Sequence, residues 1–282
     1  MGLDDKTIDF TIVSPSYNYA SYIEQMLESV AGQEGVTFEH LIFDAGSTDG
    51  TLDIIRKFPH VRLVVEPDKG MSDAINKGFQ AARGKWVMWL NTDDKLKPGA
   101  LRQVKKFADI QPDADVIYGA WNFVDDKGGF MRRMTVFPFD QRMLIHLGCY
   151  IGSTACFYRR ETTIKQGHLL NESFHYCMDG EYYARLAKHG MRFSYLPVVL
   201  ADFRLHNESI SQSNLEAEDI HGVLKQQIQF AEPRTIRRIY GTTLSKNDPL
   251  NGGVDCVLLY YYRLKKGLKR ILYGWKVKES DE

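Results

Sequence analysis

The sequence is short of the features that mark several large protein classes. It has only four cysteines, Cys149, Cys156, Cys177 and Cys256. None are spaced as CxxC, so neither a zinc ribbon nor a thioredoxin-type redox site is indicated. They read as buried free thiols of a reducing compartment. There is no net charge, since 36 basic residues balance 36 acidic ones. A general nucleic-acid binder carries a basic excess, so nucleic acid is not an expected partner. No GxGxxG follows the first strand, and GxxxxGK[ST] and HExxH are absent. A Rossmann dinucleotide site, a P-loop and a zincin-type metal helix are thereby disfavoured. No apolar run approaches the length of a bilayer span, and Trp86–Leu90 is only a short buried strand. The first residues, Met1–Lys6, are too polar and acidic for a signal peptide. Lys6 stands where the myristoylation pattern needs Ser or Thr. The expected location is therefore cytoplasmic, and the sequons at Asn171 and Asn207 read as chance matches. Internal repeats and low-complexity segments are also lacking.

What is present is an ordinary globular composition, with 44% hydrophobic and 26% charged residues in 282. That length accommodates one or two domains. Phe10–Ser14 reads as a buried strand, and Ala20–Gly32 as an amphipathic helix with Tyr22, Ile23, Met26, Leu27 and Val30 on one face. Strands follow at Phe38–Phe43, Val61–Val65, Trp86–Leu90 and Asp115–Tyr118. Helices are expected at Thr48–Phe58, Asp73–Ala82 and Lys97–Ile110. Alternation with short connections predicts a mostly parallel sheet covered by helices on both faces. The alternation then stops. Asp125–Gly129 is a hairpin-turn signal, Tyr150–Tyr158 reads as a strand, Met178–His189 as a helix, and Phe193–Phe203 as one or two strands around Pro197. From Leu215 onward the pattern is helical, interrupted by Ser245–Gly253.

In open α/β sheets ligands bind beyond the carboxyl ends of the strands. Here those ends carry Ser14-Pro15-Ser16-Tyr17-Asn18, Asp44, Glu66-Pro67-Asp68 and Asn91-Thr92-Asp93-Asp94. One acidic strand end is commonly a solvated turn. Several carboxylates on one rim repel unless a cation stands between them, and a hard cation bridging diphosphate oxygens suits such a rim.

Read in order, Ser14–Asn18, Asp44-Ala45-Gly46-Ser47-Thr48-Asp49-Gly50-Thr51, Glu66–Gly70, Asp73-Ala74-Ile75-Asn76-Lys77-Gly78 and Leu90–Asp94 resemble the family 2 glycosyltransferases. The likeness covers about Thr11 to Ser211. It implies an α/β fold of GT-A type, with a mostly parallel, Rossmann-like sheet and a helical C-terminal extension. The expected division is 1–212 for the catalytic domain, with a nucleotide-sugar half over 1–95 and an acceptor half over 96–212, and 213–282 for the extension. The implied activity is inverting transfer of a sugar from a nucleoside diphosphate sugar, expected to be a UDP-sugar, to a hydroxyl of a glycan or lipid-linked acceptor in cell-surface polysaccharide synthesis.

The resemblance also implies roles. Pro15, Ser16, Tyr17 and Asn18 form the first nucleotide loop. Asp44 accepts the uracil N3–H, and Asp68, Lys69 and Asp73 belong to the next donor loops. Asn91-Thr92-Asp93 occupies the place of the family's Asp-x-Asp metal motif. Its first position departs from that pattern, so Asn91 and Thr92 are assigned to the donor and Asp93 to Mg²⁺ or Mn²⁺, with Asp94 a weaker ligand candidate. Cys177–Tyr183 resembles the later acidic motif and places Asp179 at the catalytic base. Asp179 can equally be a helix N-cap, and Glu181, the second-choice base, can equally serve the helix dipole. Phe203–Ser211 resembles the closing segment, in which His206 contacts metal or diphosphate and Arg204 offers its charge to the diphosphate; a structural hydrogen bond is the competing reading of His206. Met143–Tyr158, with His146, Gly152, Ser153 and Thr154, corresponds to the acceptor and donor-sugar pocket.

Two other classes stay open. A nucleotidyltransferase-like enzyme would open with a glycine-rich basic loop, which Ser14–Asn18 lacks. A non-catalytic carbohydrate- or nucleotide-binding module finds its foothold in Asn91. Toward the C-terminus, Val254, Leu258, Tyr261, Leu264, Leu268, Ile271 and Trp275 make one apolar helical stripe. Arg263, Lys265, Lys266, Lys269, Arg270, Lys276 and Lys278 cover much of the rest. That pattern predicts peripheral contact with an anionic membrane through 254–278, against the alternative of a helix packed on the catalytic domain.

Overall fold

The computed structural model describes residues 7–134, 136–206 and 231–240. The first strand, β1 (Phe10–Ser16), is buried along its whole length. It lies between β2 (Phe38–Asp44) and β4 (Trp86–Trp89), parallel to both. β3 (Val61–Val65) continues the parallel array beside β2. The connections are α1 (Ile23–Ala31), the short α2 (Thr51–Ile55) and α3 (Met71–Ala81). α1 buries Ile23, Met26, Leu27 and Val30, the face that its periodicity predicts. α3 approaches β1 so closely that a Cβ on Gly78 would stand 2.2 Å from Val13.

Beyond β4 the sheet becomes mixed, a departure from the mostly parallel expectation. Its order is β3-β2-β1-β4-β8-β6-β9-β5, with β7 also paired to β6. β8 (Cys156–Arg159) runs antiparallel between β4 and β6 (Val116–Val124). β6 and β7 (Phe130–Arg133) form a hairpin at the expected Asp125–Gly129 turn. β9 (Phe193–Arg204) is one strand parallel to β6. Pro197 lacks an N–H, and the ladder shifts register between Tyr118 and Ala120 to pass it. The two-residue β5 (Lys95–Leu96) pairs with the end of β9 and is too short to show a period. α4 (Ala100–Ile110) covers the sheet after β5.

Two segments differ from expectation. Tyr150–Tyr158 is not a continuous strand: a 3-10 turn at Ser153–Ala155 precedes β8. Gly152 sits so tightly against Trp121 that a Cβ would meet the indole at 2.9 Å. α5 (Gln141–Leu147) was not anticipated, although Asp140 carries a legible N-cap signal and its carboxylate accepts the Met143 N–H. α6 (Met178–Lys188) begins where expected. Behind β4 an aromatic group of Phe79, Trp89, Tyr158 and Tyr182 fills the core, with Trp89 and Tyr158 stacked at 5.5 Å.

Residues 231–240 are helical. Ile236 and Tyr240 join the main hydrophobic core rather than forming one of their own. The stripe over Val254–Trp275 lies outside the described residues. Among the described residues, no helix is long and apolar enough to cross a membrane.

Candidate active site

The carboxyl ends of β1, β3 and β4 open onto one cavity of about 530 Å³. Its walls include Pro15, Ser16, Tyr17, Asp68, Asn91, Thr92 and Asp93, all singled out from the sequence. Tyr19, Ala45, Pro67, Gly70, Met71 and Phe203 complete the lining. Met71 and Phe203 carry no polar signal, so sequence reasoning passed over them.

The loops around the cavity are held by their own small polar residues. Asn18 adopts a left-handed φ of 57°, which Asn tolerates better than most residues. Its backbone N–H reaches Ser47 Oγ, and its side-chain oxygen accepts the Thr48 N–H at 2.9 Å. Asp49 accepts the Ala20 N–H, tying the same two loops again. Asn18 is thus a brace outside the cavity lining. Asp44 is fully buried. It accepts the N–H groups of Gly46 and Ser47 and the Ser47 hydroxyl, at 2.7 to 2.9 Å. A carboxylate has about four lone-pair positions, so this loop leaves it room for a further donor. Asp73 accepts the Lys69 N–H and pairs with Lys77, shaping the β3–α3 loop without lining the cavity. Lys69 is exposed on that loop.

At the end of β1 and just beyond β4, Ser16 and Asn91 each carry a buried oxygen, Oγ and Oδ1, that no group among the described residues satisfies. Both residues line the cavity. Buried polar atoms are rarely left unpaired, and two on one wall mark a polar ligand site. Asp93, on the cavity wall, meets the buried His206, with Oδ2 and Nε2 3.0 Å apart. Two ligands of one octahedral cation at about 2.1 Å stand about that far apart. The donor set of a carboxylate oxygen and an imidazole nitrogen also suits a hard-to-intermediate cation. Among the described residues no group of three or more metal-ligating side chains occurs, so phosphates and water would have to complete such a shell.

Three predicted residues are placed differently. Asp94 is buried and turned into the loop, where it accepts the Arg204 N–H at 3.0 Å. Burial and the neighbouring Asp93 charge push its carboxyl well above the usual carboxylate range. Arg204 is fully buried, and its guanidinium donates to the carbonyls of Asp93, Asp125 and Asp126 and to Gln25 Oε1. It staples the β4 loop to the β6–β7 hairpin, and each of its nitrogens is committed inside the chain. Glu181 is 1% exposed, bridged to Arg185 at 2.8 Å, and accepts the Tyr240 hydroxyl at 2.6 Å. Its carboxylate is enclosed by those partners rather than presented as a base. The 143–158 segment also stays out of the cavity lining: Thr154 is buried beside Asp94, and the His146 carbonyl accepts a bond from Arg237.

Asp179 is the second residue of α6 and partly buried. The N-cap is Cys177, so Asp179 is not the cap. Burial raises its carboxyl to about 6, while the Gly180 N–H and the Cys149 thiol work against that rise. Its neighbour Met178 accepts the Ser72 hydroxyl at 3.0 Å through sulfur. Ser72 follows Met71 of the cavity wall, so this contact joins the start of α6 to the cavity.

The family model described as Glycosyl transferase family 2 matches residues 11–178, more than half of the chain. The chain belongs to glycosyltransferase family 2. Among its family 2 relatives, the chondroitin synthase of Pasteurella multocida (strain Pm70) is 27% identical over 229 residues, covering 74% of this chain and 22% of that protein. A PGL/p-HBAD biosynthesis glycosyltransferase of Mycobacterium tuberculosis (strain ATCC 25618 / H37Rv) is 37% identical over 116 residues, 39% of this chain and 45% of that one. The chain thus spans less than half the length of these curated relatives. The fold recurs in solved structures. S. aureus TarS 1-349 in complex with UDP-GlcNAc matches with a TM-score of 0.61 at 20% identity, covering 97% of this chain and 91% of that one. The mannosyltransferase PcManGT of Pyrobaculum calidifontis, in complex with GDP-Man and Mn²⁺, matches at 0.55 and 15%, covering 99% and 89%. These likenesses show the GT-A-type α/β fold.

Proposed function

We propose that the chain transfers one sugar from a nucleoside diphosphate sugar, with UDP as the carrier, to a hydroxyl of a glycan or lipid-linked acceptor in polysaccharide synthesis. The observation that carries this reading is the joining of three parts at one place. A cavity at the strand ends carries Ser16, Asn91 and Asp93 on its walls, Asp93 pairs with His206, and the Ser72–Met178 contact ties the cavity wall to the helix that holds the raised carboxyl of Asp179. Relatives whose names or complexes include chondroitin synthesis and UDP-GlcNAc support the same donor class.

In this reading Tyr17, 58% exposed at the cavity mouth, offers its ring face to the base. The remaining acceptor capacity of Asp44 takes the uracil N3–H. Ser16 Oγ and Asn91 Oδ1 bond the ribose hydroxyls, and Thr92, Asp68 and Lys69 border the diphosphate. Asp93 and His206 would hold Mg²⁺ or Mn²⁺, which when bound supplies Lewis-acid stabilisation of the leaving diphosphate. Asp179 accepts the acceptor hydroxyl proton on a carboxylate oxygen as the new C–O bond forms. A carboxyl raised to about 6 is ionised at neutral pH yet basic enough for that task. One carboxylate suffices for a single displacement with inversion, since the nucleophile and leaving group occupy opposite faces of an oxocarbenium-like centre. The division into 1–212 and 213–282 is retained as a proposal, with 231–240 serving the catalytic part.

The test is a panel of nucleotide sugars with Mn²⁺, read both as thermal stabilisation and as slow release of the nucleoside diphosphate. Stabilisation with release is expected for a UDP-sugar. Stabilisation without release, with any candidate acceptor, would assign a binding module instead; no response to any of them would remove the donor assignment.

A further inference from the structure

Residues 231–240 grip α6 at three points. Glu232, 6% exposed, accepts the His175 N–H at 2.6 Å on one carboxylate oxygen. Its other oxygen accepts the N–H groups of Tyr176 and Cys177 at 2.8 and 2.7 Å. These are the residues that lead into α6, and the Cys177 N-cap makes no side-chain bond of its own. A carboxylate here also meets the positive end of the helix. One turn further along the segment, Ile236 lies 3.8 Å from the position of a Cβ on Gly180. Tyr240 then bonds Glu181. Asp179 sits between the first of these grips and the other two.

We propose that Glu232 is a positioning residue of the transfer reaction, fixing the backbone entry of α6 so that Asp179 faces the acceptor hydroxyl. The proposal rests on the assignment of Asp179 as the base. Backbone N–H groups at a helix start, unlike a mid-helix ladder, have no intrahelical partner, so a remote carboxylate decides their geometry. Small displacements of a catalytic group have large consequences for rate. Glu232 also acts through its charge. Among the described residues, the titratable groups around Asp179 are the Cys149, Cys156 and Cys177 thiols, the Tyr183 phenol and Glu232. Burial pushes the three thiols and the phenol upward, to about 12 for Cys156 and Cys177, so these four stay neutral near pH 7. Among the described residues Glu232 is the carboxylate of this set, and beside the larger effect of burial it favours the protonated form of Asp179.

The experiment compares Glu232→Gln, Glu232→Asp and Asp179→Asn in the full chain. Turnover is read as UDP release from the donor found in the panel, with water as acceptor, against pH. Titration of Asp179 is read separately by ¹³C-carboxyl NMR, its signal identified by its loss in Asp179→Asn. Stabilisation by UDP and Mn²⁺ reports folding and donor binding. Glu232→Gln should keep donor KM within about twofold, lose on the order of tenfold or more in kcat, and move the Asp179 midpoint to lower pH. Glu232→Asp, with the charge retained but a shorter reach, should keep the midpoint and lose less kcat; it carries the test if Glu232→Gln does not fold. Unchanged kcat and midpoint would overturn the inference. So would a kcat loss matched by a KM rise with an unmoved midpoint, the signature of general loosening. Wild-type turnover in Asp179→Asn would instead remove the base assignment, independently of what Glu232 does.

Discussion

Asp179 and Asp93 are both aspartates at the mouth of one sheet, yet their surroundings assign them different chemistry. Asp179 has a raised carboxyl and, among the described residues, no cation acting against that rise, which suits a group that must take a proton. Asp179→Asn is expected to lower transfer by roughly 10² or more while leaving UDP affinity unchanged. Transfer by the native protein should fall on the acid side as pH drops through about 6. Stability should respond in the opposite sense. The unfolded carboxyl ionises near about 3.9, so the folded state carries a cost for charging Asp179 that is complete above about 6 and vanishes below the unfolded value. Calorimetry should therefore show Asp179→Asn melting above the native protein at pH 7.5, with the gap shrinking at pH 4.5. Asp93 stands 3.0 Å from His206 and faces the cavity. Asp93→Ala is expected to abolish the extra stabilisation that Mn²⁺ adds to UDP binding in a melting assay; an undiminished Mn²⁺ increment would place the cation elsewhere.

At the scale of elements, close approaches between neighbours position the loops. A Cβ on Gly84 would stand 2.4 Å from the Thr11 backbone nitrogen and 2.5 Å from the Phe10 carbonyl carbon, against backbone of the central strand. A Cβ on Gly78 would press on Val13, a side chain that has rotamers to offer. Overpacking a core commonly costs about 1–3 kcal/mol. Gly78→Ala should fall in that range and Gly84→Ala above it, measured by urea unfolding; equal losses would show that β1 yields as readily as a side chain. Much of this scale was legible in the sequence. The strands β1, β2, β3 and β4 are uniform or alternating runs ended by polar loops, and α1 carries its stripe. The elements that escaped have weak local signals. β5 is two residues long, and the short α5 announces itself by little more than the Asp140 cap.

For the whole molecule, the part of the C-terminal region that is described belongs to the catalytic core through Glu232, Ile236 and Tyr240. The basic stripe over 254–278 is a separate feature of the sequence, with Trp275 and a run of lysines and arginines. Co-sedimentation with anionic vesicles at low salt is expected for the full chain and not for a chain ending before Val254, with release at high salt. Equal, negligible binding by both forms would leave the stripe as a packing surface.

The sequence by itself determined the family, the strand ends that form the cavity and the residue types on its rim. Those are local properties: a buried strand followed by a polar loop needs only neighbours in the chain to be recognised. Which polar residue serves the ligand and which serves the fold was decided by tertiary structure. Arg204, Glu181 and Asp94 look as chemically able as Asp179 and Asp93 in one dimension. Folding brings carbonyls from Asp93, Asp125 and Asp126 to Arg204, Arg185 and Tyr240 to Glu181, and the Arg204 N–H to Asp94. A buried polar group must satisfy its hydrogen bonds, and those partners lie as many as 111 residues away along the chain. Only the three-dimensional arrangement could say that these groups were already spoken for, and that Glu232 reaches back to the helix that carries Asp179.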